Sequence, residues 1–307
     1  MSFDVLQDKI RKLKNPTVAG LDPKPEYIPP YILSASYQAH GVTLEGAADA
    51  VWTFNRGLID ALCDVVPAVK PQAAYYERLG WAGMAVMEKT IRYAQERGMY
   101  VIADIKRGDI GSTAQAYAEG WLGRTALEGE SVQAFGADSV TVNGYMGSDA
   151  IKPFLEICKA EGKTLFVLVK TSNPSSGELQ DMVAGDRLVY QVIGDLTERL
   201  GKGTEDKYGY TCAGAVVGAT YPSDLRQLRK RLEHTFFLVP GYGAQGGTAE
   251  DVQYAFDKYG HGAIINASRS IMCAWQKSED DGTGYQEAAR AAAIAMRDDI
   301  KKFVTIV

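Results

Sequence analysis

Histidine and cysteine are scarce in this sequence, three and four among 307 residues. His40, His234 and His261 show no metal-ligand spacing, and Cys63, Cys158, Cys212 and Cys273 form no C-x-x-C pair. A zinc site or disulfide framework is therefore not expected; free thiols in a reducing cytosol are. No apolar run reaches the roughly 18–20 residues that cross a bilayer, and residues 1–10 lack the basic-then-apolar form of a signal peptide. Basic tracts are short, Arg229-Lys230-Arg231 being the densest, and the net charge is −5. Binding to a nucleic-acid backbone is not expected. A single G-x-G-x-x-G, Gly241 to Gly246, follows the seventh strand-like run and not the first, which gives a dinucleotide fold little support. No serine or cysteine lies near a histidine at a predicted strand end, so a nucleophilic triad is not indicated.

Short apolar, β-branched runs, by contrast, are plentiful. They fall at 17–22, 65–70, 100–106, 139–143, 165–171, 213–220, 236–240 and 262–266. Helical patterns lie between them, at 43–64, 83–97, 150–159, 187–200, 223–231 and 248–259, with a closing helix at 285–300 and an amphipathic one at 1–15. Continuous apolarity marks strands buried on both faces of a parallel sheet. Eight such units in about 250–300 residues predict one TIM (β/α)8 barrel over 1–307; an open doubly wound sheet is the alternative. The segment 23–64 between strands one and two is long, with 26–40 reading as a loop or short helix. A polar excursion at 173–186 after strand five has the character of a lid.

Charge collects where these strands end. Asp104, Lys106 and Asp109 follow the third apolar run, and residues two apart on a strand share a face. Ser112-x-x-Gln115 then reads as a capping box. Other predicted strand ends carry Asp22, Lys70, Asn143, the run Thr171-Ser172-Asn173, Thr220, Gln245 and Arg269. In a TIM barrel this is the catalytic end. After strand seven, Pro240-Gly-Tyr-Gly-Ala-Gln-Gly-Gly247 offers glycine backbone at Gly241, Gly243, Gly246 and Gly247 to an oxyanion. Thr248 opens a helix whose dipole favours an anion, and Arg269 adds a planar cationic fork. A phosphate site is expected there. Asp22, Asp104 and Asp109 have the chemistry for magnesium, but Lys70 and Lys106 among them already neutralise the carboxylates, so no metal is expected.

With these residues in view, the chain resembles the orotidine 5′-phosphate decarboxylase family, in its longer bacterial branch. The resemblance rests on Gly20-Leu-Asp-Pro23, Val69-Lys-Pro-Gln72, Asp104-Ile-Lys-Arg-Gly-Asp-Ile-Gly-Ser-Thr113, Thr171-Ser-Asn-Pro174, Gly214 to Thr220, Pro240 to Gly247 and Asn266-Ala-Ser-Arg269, in that order. It implies decarboxylation of orotidine 5′-phosphate to UMP without metal or organic cofactor, Lys106 giving a proton to C6 of the pyrimidine. Asp104 would lie beside the substrate carboxylate, and Lys70 and Asp109 would complete an alternating Lys-Asp-Lys-Asp array. Asp22 and Lys70 would approach the ribose, Ser172 would read the pyrimidine amide edge, and Gln245, Arg269 and the glycine loop would hold the phosphate. The resemblance also implies a homodimer in which Asp109, Ile110 and Thr113 reach the partner's site. A magnesium-dependent sugar-phosphate decarboxylase or aldolase on the same D-x-K-x-x-D scaffold is the rival; Lys70 and Thr171-Ser-Asn-Pro174 favour the nucleotide enzyme.

Overall fold

Eight parallel strands close into a barrel in the computed structural model, which describes residues 3–243, 246–277 and 280–307. They are β1 (Thr17–Leu21), β2 (Ala68–Pro71), β3 (Tyr100–Arg107), β4 (Ser139–Val142), β5 (Thr164–Lys170), β6 (Ala213–Val217), β7 (Phe237–Val239) and β8 (Ala263–Ala267). Each pairs with its neighbours in chain order, and β8 closes on β1 with Val18 opposite Asn266. Every residue of β1, β2, β4, β6, β7 and β8 is buried. That is why these runs carry no polar alternation: side chains pack them inside and helices cover them outside. The TIM-barrel reading holds.

Helices Leu44–Leu62, Gly80–Glu96, Gly111–Trp121, Ser148–Glu161, Val189–Gly201, Pro222–Arg231 and Tyr285–Ile300 form the outer layer. The first is capped by Thr43, whose hydroxyl accepts the Gly46 N–H at 3.0 Å. Helix Phe3–Leu13 seals the N-terminal end of the barrel. Its Phe3 ring stacks on Phe236 at 4.6 Å and tilts onto Phe166 at 5.0 Å, both near the starts of their strands. Only the C-terminal end is left for a site. No helix among the described residues is long and apolar enough to cross a membrane, and all four cysteines are free.

Several local expectations shift. Residues 30–40 form a full helix, Pro30–His40, with proline at its start and Gly41 at φ 75° ending it. The connection before β4 holds a hairpin, Thr125–Leu127 against Glu130–Val132. Its turn residues Glu128 and Gly129 both have positive φ, 43° and 88°, the geometry that suits the strand twist. Three-residue strands with every residue exposed leave no period to read. The helix expected from 187 begins at Val189, because Arg187–Leu188 pairs with Val183–Ala184. The one expected over 248–259 is a single turn, Ala249–Val252, and a 3-10 turn, Gln253–Ala255. Asp257 ends it: Oδ1 accepts the N–H groups of Tyr259 and His261, a local turn that competes with helix.

The capping box at Ser112 does not form. Asp109 Oδ1 accepts the Ile110 N–H at 2.7 Å and closes the preceding turn. The helix therefore starts at Gly111 with Ile110 as its cap, and Ser112 lies inside it.

Candidate active site

The site is built around one carboxylate. Asp104 on β3 is 6% exposed and accepts four hydrogen bonds from three strands and their ends. Lys70 Nζ at 2.8 Å and Gln72 Nε2 at 3.1 Å reach its Oδ2. Lys106 Nζ at 2.6 Å and Thr141 Oγ1 at 2.8 Å reach its Oδ1. The pairing of β2 with β3, which runs on to a bridge between Gln72 and Asp104, sets the first two contacts. Burial alone would lift the Asp104 carboxyl, but the Lys70 and Lys106 ammonium groups outweigh it and hold the group far below the usual carboxylate range. Burial likewise pulls Lys70 down, yet Asp104 and then Asp22 reverse the balance and its pKa is raised. Asp22, just past β1, has Oδ1 3.9 Å from Lys70 Nζ.

Lys106 stands where β3 departs from regular pairing. The register passes from Ala103 opposite Val140 to Arg107 opposite Val142, and Lys106 has φ 47°. Its N–H is accepted by Thr141 Oγ1 at 2.9 Å. The expected neighbouring of Asp104 and Lys106 is present, but through an irregularity and not through plain alternation. The Lys106 side chain is 45% exposed, whereas that of Lys70 is 6% exposed.

Above this network lies a cavity of about 440 Å³, with Lys70, Asp104 and Lys106 on one wall and Leu168, Val216, Leu238 and Pro240 as apolar lining. Thr171, Ser172 and Asn173 line it from the end of β5. Gly218 lets Ser172 settle there, since a Cβ at that position would stand within 3.0 Å of the Ser172 backbone. A second cleft of about 290 Å³ shares Asp22, Tyr75, Asn266 and Ser268 with the first and extends to Lys24, Gly241 and Arg269. The two form one track, with the Lys70 and Lys106 ammonium groups at the first end and Arg269 with Lys24 at the second.

The glycine loop has Gly241, Gly243 and Gly246 at φ 105°, 71° and 98°, values that side-chain-bearing residues rarely take. Its N–H groups are less open than expected. Those of Gly243, Gly246 and Gly247 donate within the loop, to Gly247, Gly243 and Gly241 carbonyls at 2.8, 2.9 and 3.0 Å. Thr248 is the cap of the short helix that follows, with Asp251 already occupying that cap. Its dipole is thus answered by a carboxylate. Gln245 lies outside the described residues.

The remaining expected residues divide. Asp22, Lys70, Asp104, Lys106 and Ser172 come together at the first cavity and Arg269 at the adjoining cleft. Asp109, Ile110 and Thr113 line neither space; Ile110 is 59% exposed. Asn143 is exposed and its Oδ1 accepts the Tyr145 N–H at 2.9 Å, so it serves its own loop and lines neither space. Two donors to Asp104 had no assigned role in the sequence reading, Gln72 and Thr141. Gln72 sat unassigned in a motif. Thr141, between Val140 and Val142, reads as β-branched filler, and only the β3–β4 register reveals it. Among the described residues, no group of three or more His, Cys, Asp or Glu side chains is arranged to hold a metal ion.

Comparison with known proteins agrees with this architecture. The family model for orotidine 5′-phosphate decarboxylase / HUMPS matches residues 47–280. The orotidine 5′-phosphate decarboxylase of Rhodopirellula baltica is 43% identical over 289 residues, 93% of this chain and 94% of that one. That of Caldicellulosiruptor saccharolyticus is 39% identical over 302 residues, 98% of each chain. Among solved structures, OMP decarboxylase of Leishmania donovani superposes with a TM-score of 0.72 at 30% identity, over 99% of both chains. The chain therefore belongs to the orotidine 5′-phosphate decarboxylase / HUMPS family and is a lyase of the decarboxylase kind.

Proposed function

We propose that this chain converts orotidine 5′-phosphate to UMP in pyrimidine biosynthesis, in the cytoplasm, with Lys106 as the proton donor to C6 and without metal or organic cofactor. The observation that carries the reading is the half-exposed Lys106 ammonium, 2.6 Å from a buried carboxylate, at one end of a track whose far end holds Arg269. Loss of carbon dioxide leaves an sp² carbanion with no adjacent electron sink, so a cation that can reach C6 and give up a proton is the chemistry required. Lys70 is too buried for that task and serves as a fixed counter-charge. Asp104, with all four acceptor positions engaged, stays ionised and faces the substrate carboxylate. Two like charges about 4 Å apart repel by roughly 4 kcal/mol at an effective dielectric of 20. That is a minor share of the roughly 8–23 kcal/mol by which enzymes lower barriers. The phosphate grip adds to this through positioning. In this reading Arg269, Gln245 and the glycine loop hold the phosphate, exchanging internal loop bonds for bonds to its oxygens. Ser172 meets the amide edge of the base, and Asp22 with Lys70 the ribose.

Ultraviolet absorbance of orotidine 5′-phosphate, followed with excess chelator present, tests this. Wild type should turn over and Lys106→Ala should lose at least about 10³-fold in kcat. Activity abolished by the chelator would favour the metal-dependent sugar-phosphate chemistry instead.

The same reading includes a homodimer, supported by Asp109 and the exposed Ile110 lying outside the lining of this chain's own cavity. Lys106→Ala and Asp109→Ala, each inactive alone, should regain about a quarter of wild-type activity when mixed and refolded together, because hybrid dimers hold one intact site. No recovery would refute the shared site.

A further inference from the structure

We infer that Thr141 is a positioning residue that aims the Lys106 ammonium, an inference that rests on the proposed role of Lys106 as proton donor. Lys106 has φ 47°, a region that residues with a Cβ enter only when their surroundings force them. Between the pairs Ala103–Val140 and Arg107–Val142, β3 spends four steps where β4 spends two. The extra residues bulge, and a bulge re-aims the side chains it carries. Thr141 is the β4 residue opposite this bulge, 1% exposed. Its Oγ1 accepts the Lys106 N–H at 2.9 Å where a regular ladder would supply a carbonyl.

That acceptance fixes the direction of the hydroxyl. Having taken the amide proton on a lone pair, Thr141 directs its own proton to Asp104 Oδ1 at 2.8 Å. One hydroxyl thus ties the backbone of the proton donor to the carboxylate that holds the donor's ammonium. Without it the Lys106 N–H lacks its acceptor and the backbone is free to relax toward an extended φ. An extended φ would undo the bulge that sets where the Lys106 side chain leaves the strand, so relaxation moves its ammonium from the position it holds against Asp104. Asp104 keeps Lys70 and Gln72 as donors. The loss therefore falls on the aim of Lys106 more than on the fold.

The test is steady-state decarboxylation of orotidine 5′-phosphate by wild type, Lys106→Ala, Thr141→Val and Thr141→Ser, with UMP inhibition constants and thermal midpoints measured beside it. Valine keeps the shape and deletes the hydroxyl; serine keeps the hydroxyl. Thr141→Val should lower kcat by about 10- to 100-fold, the scale of a misplaced reacting group, while KM and UMP binding stay close to wild type. Thr141→Ser should recover most of the lost turnover. If valine proves unable to fold, Thr141→Ala deletes the same hydroxyl with less volume and takes its place. Unchanged kcat in the hydroxyl-less variant overturns the inference. So does a loss of turnover that tracks lost UMP binding and a lowered midpoint, or one that serine does not rescue. Wild type without decarboxylase activity, or a fully active Lys106→Ala, overturns the reading of Lys106 itself.

Discussion

Two lysines are buried in this barrel beside carboxylates, and they are built in opposite ways. Lys70 lies among rigid strands: its partner Asp104 is 8% exposed in its side chain, and their atoms meet at 2.8 Å. Lys170, at the end of β5, is fully buried, but its partners are not. Asp181, in direct contact, is 45% exposed on the excursion after β5, and Asp224, on helix Pro222–Arg231, is 22% exposed at 4.0 Å. The faces of Tyr190 and Tyr221, with centroids 5.1 and 4.7 Å from Lys170 Nζ, complete its surroundings. The carboxyl groups respond accordingly. Asp104, deeply buried, is held far below its ordinary range because two ammonium groups touch it. Asp224, less buried, is raised, since desolvation outweighs the more distant Lys170 and Asp181 adds repulsion. Contact geometry decides the sign of the shift, not depth of burial.

The first cluster is therefore an obligatory unit and the second a divisible one. Asp104→Asn leaves Lys70 buried with only distant Asp22 as a counter-charge. It should destabilise the ligand-free protein by about 3–5 kcal/mol in urea titration. A loss below about 1 kcal/mol would erase the contrast. The pH dependence sharpens it. Asp104 titrates in the folded state below the roughly 3.9 of an unfolded aspartate, so its stabilisation is complete above that value and is lost as pH falls through the folded pKa. Lys70 is raised above the roughly 10.4 of a free lysine, so its share is complete below that value and is lost as pH rises through the folded pKa. Wild-type stability should thus show no titration of this pair between about pH 5 and 9. A loss of wild-type stability as pH falls from 7 to 5 that Asp104→Asn abolishes would mean the carboxyl is protonated there.

Asp181→Asn is the smaller perturbation. Asp181 is half in solvent and Asp224 stays near Lys170, so the cost should be about 1 kcal/mol or less by the same titration. Its larger effect should be local. Gln180, next to Asp181, accepts the Thr171 N–H at 2.9 Å and donates to its hydroxyl at 2.7 Å, a clasp beside Ser172. Limited proteolysis within 173–186 should quicken in the variant. Unchanged cleavage would show that the ion pair does not hold the excursion.

Much of this molecule was legible from its residues. Runs without polar alternation announced strands buried on both faces, and eight of them with helices between announced the barrel. Its chemistry was then confined to the strand ends, which is why Asp22, Lys70, Asp104, Lys106, Ser172 and Arg269 could be picked out. Less was legible where backbone groups choose among competing partners. Asp109 and Asp257 diverted two helices by bonding nearby N–H groups, and the glycine loop turned its own donors inward.

The sequence by itself determined the architecture and most of the charged groups, because burial and side-chain chemistry are properties each residue carries along the chain. Tertiary structure alone decided who meets whom. Thr141 and Gln72 join Asp104 only through the registers of β4 and β2 against β3, and a register is a relation between segments. The same relation separates Lys70, closed in by strands, from Lys170, shared with a surface excursion.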